Sequence, residues 1–319
     1  MKLIPFTVSA LLLSVSLSAH AGLDEVVKLI ANNPKASFDV STKTTNEPIE
    51  IDVSVDGKTI ASATAIPEEF VNGVRGLVAA KTITSSEYTY VVNWESMSLV
   101  QNDTSFSVYD LLADIKDHQQ DPVDAAAGGT MGGDLSEDMK PLSVVGPYVS
   151  YRTSGDDYYP GAAHPNEWDS ISTVDARKIG NVADASINLL DLVQESSLVR
   201  AIKADTAVNK LVRGRAAKAL KSARTIEQVN DAMMEGLQKH CLSFPGFENQ
   251  LNSFAVYDYD TTKNLVSIRI PLVAAAHVCQ AEAKPVQLGL LVNPLVEFEL
   301  LLREQAKNND GLLMKNVKK

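Results

Sequence analysis

The chain has 319 residues, 45% of them apolar and 22% charged, which is enough to bury a core in one large or two modest domains. Its formal net charge of -11 argues against nucleic acid as the main partner, because phosphate contacts need clustered Lys and Arg. A cationic partner fits that charge.

Residues 1–21 read as a cleavable signal peptide. Lys2 gives the short positive end, Thr7 to Leu17 the apolar run, and Ala19-His20-Ala21 the small-residue cleavage site. The run is too short to span a bilayer, and no later stretch approaches the ~18 apolar residues a spanning helix needs. Removing 21 of the 319 residues leaves 298, expected to be soluble, periplasmic and without an integral membrane segment. No Cys adjoins the cleavage point, so no lipid anchor is expected there.

From residue 23 to 33, Leu23, Val26, Val27 and Ile30 share a helical face, and Pro34 ends it. Short strands follow at Phe38 to Thr42 and at Ile49 to Val55, where apolar and polar residues alternate. Asp56-Gly57 predicts a tight turn into a strand over 59–66. Pro67-Glu68-Glu69 opens a helix to about Ala80, with Pro in its first turn and acids at its positive end. Tyr88 to Val100 reads as one long strand and Val108 to Ile115 as a short helix.

Residues 119–139, with four glycines and no apolar periodicity, read as a linker between an N-terminal subdomain (22–118) and a second α/β domain (140–292). The second domain opens with a strand over 142–152, a polar loop over 153–166 and a strand over 168–174. A strand over 187–193 follows, then a helix over 197–222. Thr225-Ile226-Glu227-Gln228 has the form of a capping box for a helix to about Lys239. Residues 253–259 and 265–273 read as a hairpin and 286–292 as a third strand, with a C-terminal helix and tail over 293–319 starting at Pro294. Strands and helices do not alternate, so the expected class is α+β, with antiparallel sheets packed against helices.

Charge is uneven. Residues 101–191 hold 16 Asp/Glu against 5 Lys/Arg, whereas residues 200–224 hold eight basic residues against Asp205 alone. The plain reading of the basic stretch is a solvated helix face that pairs with the acidic region.

Cys241 and Cys279 are an even pair in an exported chain, for which a disulfide is the default, worth roughly 3–4 kcal/mol on the chain-entropy view. A metal site is the rival, since His240 adjoins Cys241 and His277 lies two before Cys279. The spacing matches no zinc module, so no metal is expected.

Motifs for catalysis are missing: there is no nucleophile elbow, His-Glu-x-x-His, Walker loop or dinucleotide fingerprint, and no cofactor is expected. The richest segment is Asp156 to Trp168, dense in aromatics, acids and turn residues. It offers Tyr158, Tyr159 and Trp168 as binding anchors, with Gly161 shaping the turn and His164 and Asn166 as polar contacts. A catalytic version would make His164 a general base beside Asp156 or Asp157. Alternatively the loop is only a structured turn.

Leu142-Ser-Val-Val-Gly-Pro-Tyr-Val-Ser-Tyr151, Tyr159-Pro-Gly-Ala-Ala-His-Pro-Asn166 and Thr173-Val-Asp175 resemble a bacterial extracytoplasmic family. It is the domain of unknown function in the outer part of the lysozyme-sensing anti-sigma-V factor, found also beside peptidoglycan deacetylase domains. Gly161, Ala163, His164, Pro165 and Asn166 match the family's loop, while Ala162 stands where the family has a second glycine. The resemblance covers roughly 140–292 and implies a mixed α/β domain and, from its best-known member, lysozyme binding. The chain shows no deacetylase domain or anti-sigma segment. The expectation is thus a non-catalytic periplasmic binding protein of the cell envelope, recognising a cationic lysozyme or a peptidoglycan component. An envelope hydrolase using His164 and a structural envelope protein without a ligand are the alternatives.

Overall fold

The computed structural model describes residues 21–33, 35–42, 48–78, 80–93, 96–101, 104–120, 133–158, 166–178, 185–244, 251–274 and 286–308. They form an α+β protein with antiparallel sheets, as the mixed element order suggests. Two compact units interleave along the chain. The first draws on Met1–Val78, Ile115–Ser136 and Tyr158–Ala163, the second on Ala79–Asp114, Glu137–Asp157 and His164–Lys319. Each unit takes residues from both sides of the 119–139 stretch. Among the described residues, no helix is long and apolar enough to cross a membrane.

In the first unit, helix α1 (Leu23–Asn32) precedes strands β1 (Ala36–Thr42), β2 (Ile49–Val55) and β3 (Lys58–Ala65), an antiparallel meander, and helix α2 (Pro67–Leu77). Alternation sends Ile49, Ile51 and Val53 into the core, each fully buried. The predicted Asp56-Gly57 turn forms with both residues at positive φ, 51° and 74°, the pattern that matches strand twist. The helices pack closely: a Cβ at Gly73 would lie 3.1 Å from a Val27 methyl.

Among its described residues, the second unit holds two four-stranded sheets, part of a third sheet and a helical layer. One sheet is the meander β4 (Lys81–Ser85), β5 (Tyr88–Val92), β6 (Ser96–Gln101) and β7 (Thr104–Asp110), followed by α3 (Leu111–Gln120). The long strand expected over 88–100 is in fact two strands. The signal passed over is Asn93, whose N–H donates to the Ser96 carbonyl at 2.8 Å and closes the turn. The helix expected from Val108 starts instead after Asp110, whose carboxylate accepts from the N–H of Leu112 (3.0 Å) and Ala113 (3.2 Å).

Strand β8 (Gly133–Val145) passes from one unit to the other, its first residues pairing with β1 through Val40 and Leu135. Part of the expected linker is therefore strand. The strand expected over 142–152 breaks at Gly146-Pro147, a turn dipeptide, and re-forms as β9 (Tyr148–Tyr158), which pairs with β10 (Asn166–Asp175). The polar loop expected over 153–166 is shorter, because β9 runs on to Tyr158. Residues 187–193 form a 3-10 turn at Leu189–Asp191, capped by Asn188, in place of a strand.

The helix expected over 197–222 is three: α4 (Glu195–Ala204), α5 (Thr206–Leu211) and α6 (Gly214–Ser222). Asp205 breaks the first from the second, its carboxylate accepting from the N–H of Ala207 (2.8 Å) and Val208 (3.0 Å). Gly214, at φ 63°, opens the third. Helix α7 (Ile226–Leu237) carries the predicted cap: the Gln228 N–H donates to Thr225 Oγ1 at 3.3 Å, and Gln228 Oε1 accepts from the Arg224 N–H at 2.7 Å. These helices cover one face of a sheet made of β11 (Leu242–Ser243), β12 (Ala255–Asp260), β13 (Leu265–Ala274) and β14 (Val286–Val292). The chain closes with α8 (Val296–Asn308). Leu198, Ile202, Val229, Met233, Ile268, Leu290 and Phe298 meet in one fully or almost fully buried cluster.

Cys241 sits at φ 56° after a short 3-10 turn and is not a free thiol; Cys279 lies outside the described residues.

Candidate functional site

The described parts of the segment singled out in the sequence, residues 156–158 and 166–168, are the distal ends of the paired strands β9 and β10. Tyr158 is the last residue of β9 and is half-buried. Tyr159, Gly161 and His164 lie outside the described residues. Asn166 and Trp168 belong to β10, opposite Asp157 and Gly155. Because partners across an antiparallel pair share a face, Asn166, Trp168, Gly155 and Asp157 take register positions on one side.

The other side of the same register carries charge. Asp156 is opposite Glu167, Ser154 opposite Asp169, and Arg152 opposite Ile171. Arg152 reaches diagonally to Asp169, with its Nε 2.7 Å from Oδ1 and its Nη2 2.8 Å from Oδ2. Asp156 and Glu167 thus occupy directly facing register positions. Among the described side chains, Asp156, Glu167 and Asp169 share this side of the register with Arg152.

Nearer the middle, the hairpin is fixed to β12 by a directed chain of hydrogen bonds. The Val256 N–H donates to Ser150 Oγ at 3.0 Å, and Thr173 Oγ1 donates to the Phe254 carbonyl at 2.8 Å. The 2.8 Å bond between the two hydroxyls must then run from Ser150 to Thr173, since each hydroxyl has one proton. Ser150 and Thr173 are each 1% exposed, so every link is shielded from water.

At the root of the hairpin, Asp175 is only 2% exposed and meets Arg177 in a fork: Nε to Oδ1 at 2.8 Å and Nη2 to Oδ2 at 2.6 Å. The Arg177 backbone N–H adds a third bond at 3.1 Å. Hydrogen bonding to Asp175 holds the guanidinium charged well beyond the usual arginine range. That guanidinium also lies over the Tyr148 ring, 5.7 Å from its centroid. Burial raises the Tyr148 and Tyr88 hydroxyls above the ordinary tyrosine value, with Glu87 adding to the effect at Tyr88. Tyr148 packs edge-on against Phe298 of α8, with centroids 5.7 Å apart.

The turn between β8 and β9 is tied down as firmly. Tyr90 Oη donates to the Gly146 carbonyl at 2.9 Å, the Gly146 N–H donates to Ser85 Oγ at 2.6 Å, and Ser85 Oγ donates to Gln305 of α8. Gly146 has φ 57°, and a Cβ there would stand 3.0 Å from Leu301.

Several residues that carry the family resemblance thus have packing roles. Gly146, Tyr148, Ser150, Thr173 and Asp175 build the root and middle of the hairpin. The sequence reading missed the partners: Arg177 two residues past Asp175, Ser85 and Tyr90 on the meander, Phe254 just before β12 and Val256 on it. Only Asp-x-Arg at a strand end could have been found by inspection, because the others come from distant segments.

Among the described residues, no three His, Cys, Asp or Glu side chains converge as metal ligands. His240 Nε2 donates to the Leu211 carbonyl at 3.1 Å. The side chain of His118 and all of His277 lie outside the described residues. No protein-family model, curated protein or solved structure matches the chain.

Proposed function

We propose that this is an exported cell-envelope protein that binds a cationic partner, such as a lysozyme, along the acidic arms of the β9–β10 hairpin, without turning it over. The observation that carries this reading is the register that sets Asp156 directly opposite Glu167. Two acids at facing register positions are a place where a cationic partner could dock. Arg177, Asp175 and the Ser150–Thr173 chain hold the hairpin's root, so its end is presented on a rigid base. The sequence's own candidates for contact residues are Tyr158, Tyr159, His164, Asn166 and Trp168, in keeping with the resemblance to a lysozyme-sensing domain.

Export rests on the signal peptide over residues 1–21. Cleavage after Ala21 leaves Gly22, whose carbonyl accepts from the N–H groups of Glu25 (2.9 Å) and Val26 (3.3 Å) at the start of α1. Asp24 and Glu25 in that first turn offset the new α-amino charge. An oxidising compartment also suits a Cys241–Cys279 disulfide, and the left-handed backbone at Cys241 is a conformation that a cross-link can hold in place.

Isothermal titration of the purified protein with a cationic lysozyme, and separately with soluble peptidoglycan fragments, tests the reading. Binding of lysozyme that weakens steeply with salt supports it. Heat with peptidoglycan fragments alone would point to the glycan as ligand, and release of cleaved fragments would favour the hydrolase alternative centred on His164.

A further inference from the structure

Helices α6 and α7, joined by three residues, carry opposite charges on their exposed faces. On α6, Arg215, Lys218 and Lys221 follow at every third position, opposite the buried Ala216 and Leu220. On α7, Glu227, Asp231 and Glu235 follow at every fourth, opposite the buried Val229, Met233 and Gly236. All six charged residues are exposed, and among the described residues none of them makes an ion pair or side-chain hydrogen bond. The pairing with the acidic region expected from the sequence is therefore not seen for this stripe.

Each stripe is a cost to the isolated chain, since like charges three or four residues apart on a helix repel. Other nearby acids are already engaged. Glu195, the nearby acid on α4, already accepts from the Ile226 N–H at 2.8 Å, and Asp205 caps α5. A positive stripe packed beside a negative one has a geometric property that neither has alone: a two-fold axis through the pair sets the positive stripe of one copy over the negative stripe of the other, twice. Met234, 39% exposed beside the acidic stripe, gives such a contact an adaptable apolar centre.

We infer that the α6–α7 surface is a self-complementary interface through which two copies of this chain associate. A purely anionic partner, such as a lipid surface or a polyphosphate, would meet the basic stripe but be repelled by the acidic one. The interface is small. The twelve residues of α7 span about 18 Å and the nine of α6 about 14 Å, and packed helices lie about 10 Å apart, so the footprint falls short of the ~800 Å² per partner of a stable complex. The association is accordingly weak and electrostatic, and it is independent of the hairpin reading.

Sedimentation equilibrium of the full protein, at concentrations up to about 1 mM, reads the result directly. In about 0.1 M salt the protein dimerises. In about 1 M salt, where the Debye length falls from about 10 to about 3 Å, the dimer constant weakens at least about tenfold. Lys218→Glu/Lys221→Glu and Glu227→Lys/Asp231→Lys, each checked for native circular dichroism, are monomeric alone and form a mixed dimer when combined. A wild-type protein that stays monomeric in both salts overturns the inference. So does a dimer indifferent to these variants, or a monomer that co-sediments with vesicles of anionic phospholipid.

Discussion

The carboxylate of Asp175 and the guanidinium of Arg177 meet in a two-pronged hydrogen bond at the root of the β9–β10 hairpin, with the acid 2% exposed and the base half in solvent. Removing Arg177 would leave a buried carboxylate without its counter-charge. Arg177→Ala is expected to cost about 3 kcal/mol in urea unfolding, more than Asp175→Asn, which removes charge and desolvation together. Equal, small losses from both variants would show that the pair is solvated in solution.

The chain from Val256 through Ser150 and Thr173 to Phe254 makes a sharper prediction, because Thr173→Val keeps the volume and removes only the hydroxyl. That change strands the Ser150 proton and the Phe254 carbonyl, a loss of about 1–3 kcal/mol. The double variant with Ser150→Ala should lose less than the sum of the two single losses, since both remove the same link. Strict additivity in denaturation midpoints would contradict a connected chain.

Glycines give a built-in control. Gly146→Ala meets both a positive φ and the Leu301 side chain at 3.0 Å, and Gly236→Ala places a methyl 2.7 Å from Val212. Each should lower stability by about 1–3 kcal/mol. At Gly289 nothing stands within 4 Å of a new methyl, so Gly289→Ala should leave the melting temperature unchanged or raise it.

Alkaline pH should unfold the protein through its tyrosines. Burial raises the hydroxyls of Tyr88, Tyr90, Tyr148, Tyr151, Tyr257 and Tyr259 above the usual value of 10.0. A phenol whose proton is held more tightly in the folded state contributes stability that is complete below about pH 10. That contribution is lost as pH rises towards the folded value. Absorbance at alkaline pH should therefore show these six ionising late and together with unfolding; early, independent ionisation would mean the rings are wet.

Local signals made much of the fold legible. Alternation located β2, Asp56-Gly57 located its turn, and Thr225 with Gln228 located the start of α7. The errors share a cause. Asn93, Gly146-Pro147 and Asp205 are breakers inside long apolar-rich stretches, and periodicity counted across them fused two or three elements into one. The site was legible only in part. Composition drew attention to the 156–168 segment, but which acids face each other depends on register, and Ser85, Tyr90 and Phe254 reach the hairpin from far along the chain. No local pattern encodes such contacts.

The acidic hairpin is the central claim, and neutralising the facing pair tests it most directly. Asp156→Asn/Glu167→Gln removes two charges without changing shape, and should weaken lysozyme binding about tenfold or more by titration calorimetry in about 0.1 M salt. Unchanged affinity in a variant that folds as well as the wild type would contradict the account.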